Sequence, residues 1–357
     1  MGVFRYEPVV IIDVGARGGF NTEWKVFADQ IRLYCFEADE AECRRLASEA
    51  PAYVTYVPWA LAGKSGAAKL YESKLAASTS LYQTRMDYFG RFLNRENGRT
   101  VGQSTIMTRT LDEVLTTYGI KAVDFIKLDA EGAELDILSG GDNCFDQNSP
   151  LGILSEIRFH EEINGSAPFA SLDGFLRGKG FRLYDLQFNH HSRMALPYPG
   201  LQDYRLPTGE RFFAYTRHGQ IQDGDALYFR DLLLSMNRSV SAALSTVQLL
   251  KLSALFELYS LNDCAAELIL ANRARIEPEI DCGHLLDLLA SGIAGRHIKY
   301  DQYMQDYFEP PSRELQAPNA ISQSPSPRGA SDACGESSRA QRSLDRINSI
   351  ARRLGIR

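Results

Sequence analysis

The sequence predicts an α/β domain built on a largely parallel sheet of seven strands, followed by an all-helical C-terminal extension. Two patterns indicate this fold class. From residue 9 to about residue 218, short apolar runs alternate with amphipathic stretches, as in strands joined by crossover helices. After residue 225, leucine and alanine recur at helical spacing instead.

Seven apolar runs are the predicted strands. They cover residues 9–14, 32–36, 53–58, 123–128, 152–157, 181–186 and 212–216. Several are almost continuously apolar, as expected of strands buried on both faces, whereas the last two alternate polar and apolar residues. We therefore expect the last two to form an antiparallel pair at one edge of the sheet.

Residues 64–111 interrupt this alternation. A short run at 68–72 and a Ser/Thr patch at 78–80 precede a polar segment that is rich in Arg and Asn. This composition predicts an inserted hairpin followed by a mobile loop.

The predicted domain boundaries follow the changes in composition. We expect an α/β domain over residues 1–220 and a helical accessory domain over 225–309. Residues 310–340 are rich in Pro, Ser, Gly and Ala without periodicity, which predicts a disordered linker. Residues 341–357 carry one apolar face and five Arg, which predicts a basic amphipathic helix.

Charge and cysteine content exclude several classes of protein. The formal net charge of −6 and the pI near 5.6 argue against a nucleic-acid binder. No window approaches the apolar length of a membrane span, and the N-terminus lacks a signal sequence. The six cysteines form no CxxC pair, so neither a zinc site nor a disulfide framework is predicted. We expect a cytoplasmic protein without a bound metal.

The first candidate site follows the first strand, where Asp-Val-Gly-Ala-Arg-Gly-Gly occupies residues 13–19. Glycines permit a tight turn and a close approach of the backbone to a ligand. A dinucleotide fingerprint needs glycine where Arg17 stands. The carboxylate of Asp13 would repel a pyrophosphate but would suit the ammonium and sulfonium groups of S-adenosylmethionine. The alternative is that Asp13 only caps the next helix.

The second candidate site ends the next strand, at Glu37 and Asp39. A carboxylate there can accept hydrogen bonds from both hydroxyls of a ribose. One of the two is expected to be the N-cap of the helix over residues 40–48. We assign the ribose role to Glu37.

The third candidate site is Val-Asp-Phe-Ile-Lys-Leu-Asp-Ala-Glu-Gly-Ala-Glu-Leu-Asp at residues 123–136. Asp129 ends a buried strand, where open α/β sheets bind their ligands, and Glu131 can face the same crevice. Lys127 lies inside the apolar strand and should neutralise one of these acids, because an unpaired buried charge is costly. The alternative is a purely structural cluster of charges.

These blocks, together with Leu-Asp at residues 111–112, resemble the FkbM family of S-adenosylmethionine-dependent methyltransferases. Its hallmark is a Leu-Asp segment followed by a strand ending Asp-Phe-Ile-Lys-x-Asp-x-Glu-Gly-Ala-Glu. The match spans about residues 9–160, and Arg17 departs from the Asn of the usual family turn. The resemblance implies a Rossmann-like class I methyltransferase fold with S-adenosylmethionine as cofactor.

A fourth block is similar to a family segment with a Glu late in a strand and a His soon after. Glu156 and His160 occupy these places. His160 can relay a proton near neutral pH, and Glu156 can orient it or line the acceptor pocket. The alternative is a structural histidine.

The sequence therefore predicts an O-methyltransferase that acts on a hydroxyl of a sugar, glycan or polyketide-type small molecule. The residues predicted to bind the cofactor are Asp13, Gly15, Ala16, Arg17, Gly19, Glu37, Ala38, Trp59, Ala60 and Asp129. The predicted catalytic residues are Asp129, Glu131, Glu156 and His160.

Two rival functions stay open at this point. One is a nicotinamide-dependent (NAD-type) Rossmann oxidoreductase, which Asp13 and Arg17 disfavour. The other is a non-catalytic scaffold with a vestigial methyltransferase domain. In every case the C-terminal helices are expected to serve homo-oligomerisation or a protein partner.

Overall fold

The computed structural model describes residues 4–148, 150–201, 204–205, 211–212 and 215–308. The predicted linker 310–340 and helix 341–357 lie outside this range. The strands are β1 Val9–Val14, β2 Ile31–Phe36, β3 Val54–Val57, β4 Ala60–Leu61, β5 Gly66–Ser73, β6 Thr100–Arg109, β7 Phe125–Leu128, β8 Gly152–Arg158, β9 Phe181–His191, β10 Tyr204–Arg205, β11 Arg211–Phe212 and β12 Gln220–Arg230.

The helices fall into two groups along the chain. Those within or directly after the sheet-forming part are α1 Glu40–Ser48, α2 Met86–Phe89, α3 Leu111–Thr117, α4 Glu134–Ser139, α5 Phe169–Gly178 and α6 Arg238–Ala243. The later ones are α7 Thr246–Leu258, α8 Asn262–Ala271, α9 Arg273–Ile276, α10 Cys282–Ala294 and α11 Tyr300–Phe308. Short 3-10 or π turns cover Thr22–Gln30, Ala76–Ser78, Cys144–Asn148 and Ser235–Asn237.

Two compact units divide the chain. The α/β unit comprises Pro8–Asn21 and Ala28–Val240, and the helical unit comprises the described parts of Met1–Glu7, Thr22–Phe27 and Ser241–Arg357. In the helical unit α7 packs against α8, α8 against α10, and α10 against α11. α7 and α8 are joined by a short connection and form a helical hairpin.

The main sheet has seven strands in the order β3-β2-β1-β7-β8-β12-β9. All neighbouring pairs are parallel except those of β12, which runs antiparallel to β8 and to β9. This is the predicted Rossmann-like class I methyltransferase arrangement, a doubly wound order with one antiparallel strand beside the edge. The order reverses between β1 and β7, so a ligand crevice is expected at their carboxyl ends.

The central strands are buried on both faces, which explains their continuous apolar runs. Ile12, Ile126 and Ile153 from β1, β7 and β8 share one core with Leu138 of α4 and Leu176 of α5. This packing holds the carboxyl ends of β1 and β7 in fixed positions.

The seventh strand of the main sheet is Gln220–Arg230 and not the predicted segment 212–216. Of that segment, Phe212 lies in the short strand β11, and residues 213–214 lie outside the described residues. Asp223, Gly224 and Asp225 interrupt the apolar run of Gln220–Arg230, and a Cβ on Gly224 would lie 2.1 Å from the backbone oxygen of Gln187. The strand thus needs a glycine where it meets β9, and the predicted domain boundary at 220–225 falls within it.

The predicted insertion forms a separate three-stranded sheet. β5 and β6 make an antiparallel hairpin, and β4 pairs in parallel with β6. A mobile loop was expected after the hairpin, but β6 occupies Thr100–Arg109. This small sheet contributes one wall of the cavity described below.

Candidate active site

A cavity of about 640 Å³ lies at the carboxyl ends of β1, β2 and β7, with the insertion opposite. Most of the predicted site residues line it: Gly15, Arg17, Glu37, Ala38, Trp59, Ala60, Asp129 and Glu131. Asp13, Ala16, Gly19, Glu156 and His160 are not among the described residues that line it. The predicted cofactor residues and the two leading catalytic acids thus meet in one space.

The turn after β1 approaches the cavity through Gly15. Gly15 has φ +79°, and a Cβ there would lie 1.8 Å from the backbone oxygen of Asp129. The amides of Gly15 and Ala16 both donate to the carbonyl of Phe36 at 3.1 Å, and Gly19 donates to Ala16. The amides of Gly15 and Ala16 thus hold the ends of β1 and β2 together.

Asp13 lies beneath this turn and not on the cavity wall. It is 1% exposed, and its Oδ1 is 3.5 Å from Nζ of Lys127 on the neighbouring strand β7. Burial raises its pKa to about 6, against the opposing effect of the Lys127 charge. Asp13 thus supports the turn through Lys127 and has no direct contact with the cavity.

Of Glu37 and Asp39, Asp39 is the one that caps the helix, as the sequence predicted for one of the two acids. Asp39 is the N-cap of α1 and accepts hydrogen bonds from two amides of its first turn. Glu37 is 6% exposed, and its Oε1 accepts from the amide of Asp39 at 2.8 Å. Burial raises the pKa of Glu37, and the Arg17 guanidinium, 3.8 Å away, lowers it. An oriented carboxylate therefore faces the cavity with a cation beside it.

Trp59 and Ala60 line the cavity after β3. The guanidinium of Arg109 lies 4.5 Å from the centre of the Trp59 ring, a cation–π contact that fixes the indole. The fixed ring offers a flat apolar surface to a ligand.

Asp129 ends β7 and pairs with the lysine of the same strand. Lys127 Nζ donates to Asp129 Oδ2 at 3.2 Å. Burial lowers the pKa of Lys127, but Asp13 and Asp129 together raise it further, so it stays charged. Lys127 thus pairs with Asp129, as expected for one of the acids, and it also pairs with Asp13.

Glu131 lies on a strained turn. Its φ is +53°, a left-handed conformation that is uncommon outside glycine. Ser80 Oγ donates to the Glu131 carbonyl at 2.7 Å, and Glu134 Oε1 accepts from the amides of Ala130 and Gly132. Such strain persists where surrounding contacts enforce it, often at functional sites.

Arg158 joins three carboxylates at the end of β8. Its Nη2 lies 2.6 Å from Glu131 and 3.0 Å from both oxygens of Glu156, and its Nη1 lies 2.6 Å from Glu162. Burial raises the pKa of Glu131 to about 8 and that of Glu156 well above its ordinary value, although Arg158 lowers both. A single guanidinium thus orients Glu131 toward the cavity.

One group of acids has the spacing of a metal site. Oxygens of Asp129, Glu131 and Glu156 lie within 4.8 Å of one another. Carboxylate oxygens are the ligands preferred by Mg²⁺ and Mn²⁺. Arg158, however, already bonds two of the three.

His160 is engaged elsewhere. Its Nε2 lies 2.9 Å from the carbonyl oxygen of Ile221 and 2.9 Å from the side-chain amide nitrogen of Gln220. Its ring packs against Tyr88 at 5.7 Å. These contacts agree with the structural alternative for this histidine.

The sequence did not indicate that Arg158, Glu162 or the small sheet of the insertion would belong to the site. The available signal was a charged residue two positions after Glu156 at the end of an apolar strand, because such a residue is stable there only when paired. Ser80 carried no signal beyond membership of a Ser/Thr patch, since its partner is a distant carbonyl.

Comparison with known proteins agrees with this geometry. A family model described as the methyltransferase FkbM domain matches residues 13–183. A structure of the fibrillarin/Nop5p complex matches with 11% identity and a TM-score of 0.30, over 64% of this chain and 74% of that chain. A SAM-dependent methyltransferase from Archaeoglobus fulgidus matches with 11% identity and a TM-score of 0.28, over 63% and 88%.

Both structural scores are low, so the fold assignment rests on the strand order above. A search of curated proteins found no match. The family model thus confirms the predicted resemblance, because residues 13–183 match the methyltransferase FkbM domain.

Proposed function

We propose that this domain transfers the methyl group of S-adenosylmethionine to a hydroxyl oxygen of a sugar, glycan or polyketide-type small molecule. The observation that carries the proposal is that one cavity is lined by Gly15, Glu37 and Trp59 and also by Asp129 and Glu131. The first three suit a nucleoside, Asp129 suits either the ammonium group of the cofactor or an acceptor hydroxyl, and Glu131 suits an acceptor hydroxyl.

The residues present fit the proposed cofactor. Glu37 is a buried carboxylate whose Oε1 is fixed by the amide of Asp39, which suits the two ribose hydroxyls. The Trp59 ring suits an adenine, and Asp129 suits the ammonium group. When bound, S-adenosylmethionine supplies an electrophilic methyl on its sulfonium.

Glu131 is the proposed general base. It lines the cavity, and the two hydrogen bonds from Ser80 and Arg158 fix its backbone and its side chain. It would take the hydroxyl proton while the acceptor oxygen attacks the methyl carbon. A general base contributes about 100- to 10,000-fold, and positioning about 7–11 kcal/mol, so positioning supplies the larger part.

The insertion suits a polar acceptor of limited size. Ser73, Thr79 and Ser80 line the cavity, and the small residues Ala76 and Ala77 lie among them. The Ser80 hydroxyl bonds to the carbonyl of Glu131. Hydroxyl groups both donate and accept hydrogen bonds, as recognition of a polyhydroxylated acceptor requires. This wall supports a sugar or another polyol-like acceptor.

The test is methyl transfer by the purified chain. The protein would be incubated with isotope-labelled S-adenosylmethionine and a panel of sugars, glycans and polyketide alcohols, and products would be identified by mass spectrometry. We expect a labelled O-methyl product from at least one acceptor class. Transfer to nitrogen or carbon alone would overturn the oxygen assignment.

The rivals are separated by the ligand that the protein retains. Native mass spectrometry of the purified chain should detect S-adenosylmethionine or S-adenosylhomocysteine. A retained nicotinamide dinucleotide would favour the oxidoreductase instead, and failure of the folded chain to bind any of these would favour the scaffold.

A further inference from the structure

We propose that Arg158 is a positioning residue that binds the acids of the reacting centre in the place that a divalent cation would take. The inference rests on the proposed function only in locating the reacting centre at Glu131. It predicts a site that is independent of metal because a side chain supplies the cation.

The contacts of Arg158 resemble those of a bound ion. Nη2 lies 2.6 Å from one oxygen of Glu131 and 3.0 Å from each oxygen of Glu156. A divalent cation binds such oxygens at about 2.0–2.6 Å. The same nitrogen thus bridges Glu131 and Glu156. Asp129 is the third acid of the group, and oxygens of all three acids lie within 4.8 Å of one another.

The cluster of acids contains two cations of the chain itself, Arg158 and Lys127. The Arg158 side chain is 9% exposed, and its Nη1 binds Glu162, whose side chain is 1% exposed. Asp129 has its own cation in Lys127, at 3.2 Å. Since a buried charge without a partner is costly, both cations are held firmly by these acids.

A guanidinium and a metal ion would do different work here. The guanidinium donates directed hydrogen bonds in its own plane and cannot be lost to a chelator. It cannot accept the acceptor oxygen as a ligand, so the acceptor would be oriented by Asp129 and Glu131 themselves. Removing Arg158 should leave three acids whose charge attracts a divalent cation.

Mn²⁺ binding tests this directly. The wild type, the double variant Arg158→Gln/Glu162→Gln and the control Arg273→Gln/Glu277→Gln would each be titrated with Mn²⁺ and followed by electron paramagnetic resonance. The first double variant removes one positive and one negative charge together, as does the control on an exposed helical pair. Circular dichroism would establish that each variant is folded.

We expect no stoichiometric binding by the wild type or by the control. The Arg158→Gln/Glu162→Gln chain should bind one Mn²⁺ at least about tenfold more tightly than the wild type, because its acids are freed as ligands. Adding Glu131→Gln should abolish that site, and Arg158→Lys should not create one.

Two results would overturn the proposal. One is a Mn²⁺ site in the wild type that Glu131→Gln removes, an outcome that needs no folded variant of Arg158. The other is a folded double variant that gains no site. Neither measurement uses methyl transfer, so failure of the proposed function would show separately, as absence of product with any acceptor. If the proposed function and the role of Arg158 are both correct, a chelator should leave the methyl-transfer activity of the wild type unchanged.

Discussion

Glu37, Asp129 and Glu131 line one cavity but have different surroundings. Glu37 accepts a backbone amide and has Arg17 beside it, Asp129 pairs with Lys127, and Glu131 pairs with Arg158. Burial raises the pKa of Glu37, which Arg17 opposes, and it raises the pKa of Glu131 to about 8. Their environments thus favour a binding role for Glu37 and a proton-accepting role for Glu131.

Replacing Glu37 with Ala should weaken the affinity for S-adenosylhomocysteine about 10- to 100-fold, since a charged acceptor of two hydroxyls is worth about 1.5–3 kcal/mol. Isothermal titration calorimetry would measure it. Glu40→Ala, an exposed acid of α1, is the control and should bind normally. Unchanged affinity in a folded Glu37→Ala chain would remove the ribose assignment.

Methyl transfer should rise with pH until about pH 8. A general base acts only when ionised, and burial raises the pKa of Glu131 to about 8, so the rate should increase about tenfold per pH unit below that value. Glu131→Gln should bind the cofactor normally and lose about 100-fold or more in kcat. Single-turnover rates across pH would measure both.

Glu161→Gln, which replaces an exposed acid that follows β8, is the control for this prediction. If Glu131→Gln and Asp129→Asn both retained full activity, neither acid would be the base. Either positioning alone would then explain the rate, or His160 would be the remaining candidate for the general base.

At the scale of elements, the close approach of β1 to β7 depends on one glycine. Gly15 and Gly18 share φ +79°, but only at Gly15 would a Cβ meet backbone, 1.8 Å from the Asp129 oxygen. The crevice at the switch point therefore requires Gly15 for its packing and not only for its turn.

Gly15→Ala should destabilise the α/β unit more than Gly18→Ala. Both variants carry the strain of a left-handed alanine, about 1–2 kcal/mol, and Gly15→Ala must also displace Asp129. Urea unfolding and S-adenosylhomocysteine affinity would measure the difference. Equal losses in the two variants would show that the clash is relieved at no cost.

In the helical unit, Glu257 makes stability depend on pH. Burial raises its pKa in α7 to about 7. The folded state therefore binds more protons than the unfolded state between about pH 4.5 and 7, and stability should fall as the pH rises through this range. Below the unfolded pKa, Glu257 is neutral in both the folded and the unfolded state, so burial of its charge does not lower the stability there.

Glu257→Gln should raise the free energy of unfolding by about 1–3 kcal/mol at pH 8 and by little at pH 4. Denaturant unfolding at both pH values, followed by circular dichroism, would measure it. Glu267→Gln, an exposed acid of α8, should change neither value. A gain of equal size at both pH values would contradict the titration of Glu257.

At the scale of the whole molecule, site and tail are separate parts of the chain. Every residue that lines the cavity belongs to the α/β unit. Residues 310–357 contain eight Arg and four Asp or Glu, so they carry +4, while the preceding residues carry −10. No helix among residues 4–308, as far as these are described, is long and apolar enough to span a membrane.

Truncation after Glu309 should leave S-adenosylhomocysteine affinity unchanged. If the tail docks on an acidic surface or partner, truncation should weaken self-association or partner binding at low salt, since screening removes such attraction at high salt. Light scattering at two salt concentrations would measure the assembly. An unchanged oligomeric state, partner binding and activity would leave the tail without a docking role.

The sequence determined the local features of this protein. Apolar runs identified six strands of the main sheet, namely β1, β2, β3, β7, β8 and β9. Either Glu37 or Asp39 could be expected as a cap because capping acts within one helical turn. Lys127 was expected to be paired, since burial of its strand follows from the strand's own residues. The family blocks are also local, which is why they were visible along the chain.

Only the tertiary structure decided which distant groups meet. The strand Gln220–Arg230 is stabilised between β8 and β9 despite its polar middle, because their ladders provide its hydrogen bonds. Arg158 meets Glu131 across 27 positions, and Ser80 meets the carbonyl of Glu131 across 51. Asp13 faces Lys127 because β1 and β7 are paired in that register. Such contacts depend on strand order and register, which no local pattern specifies.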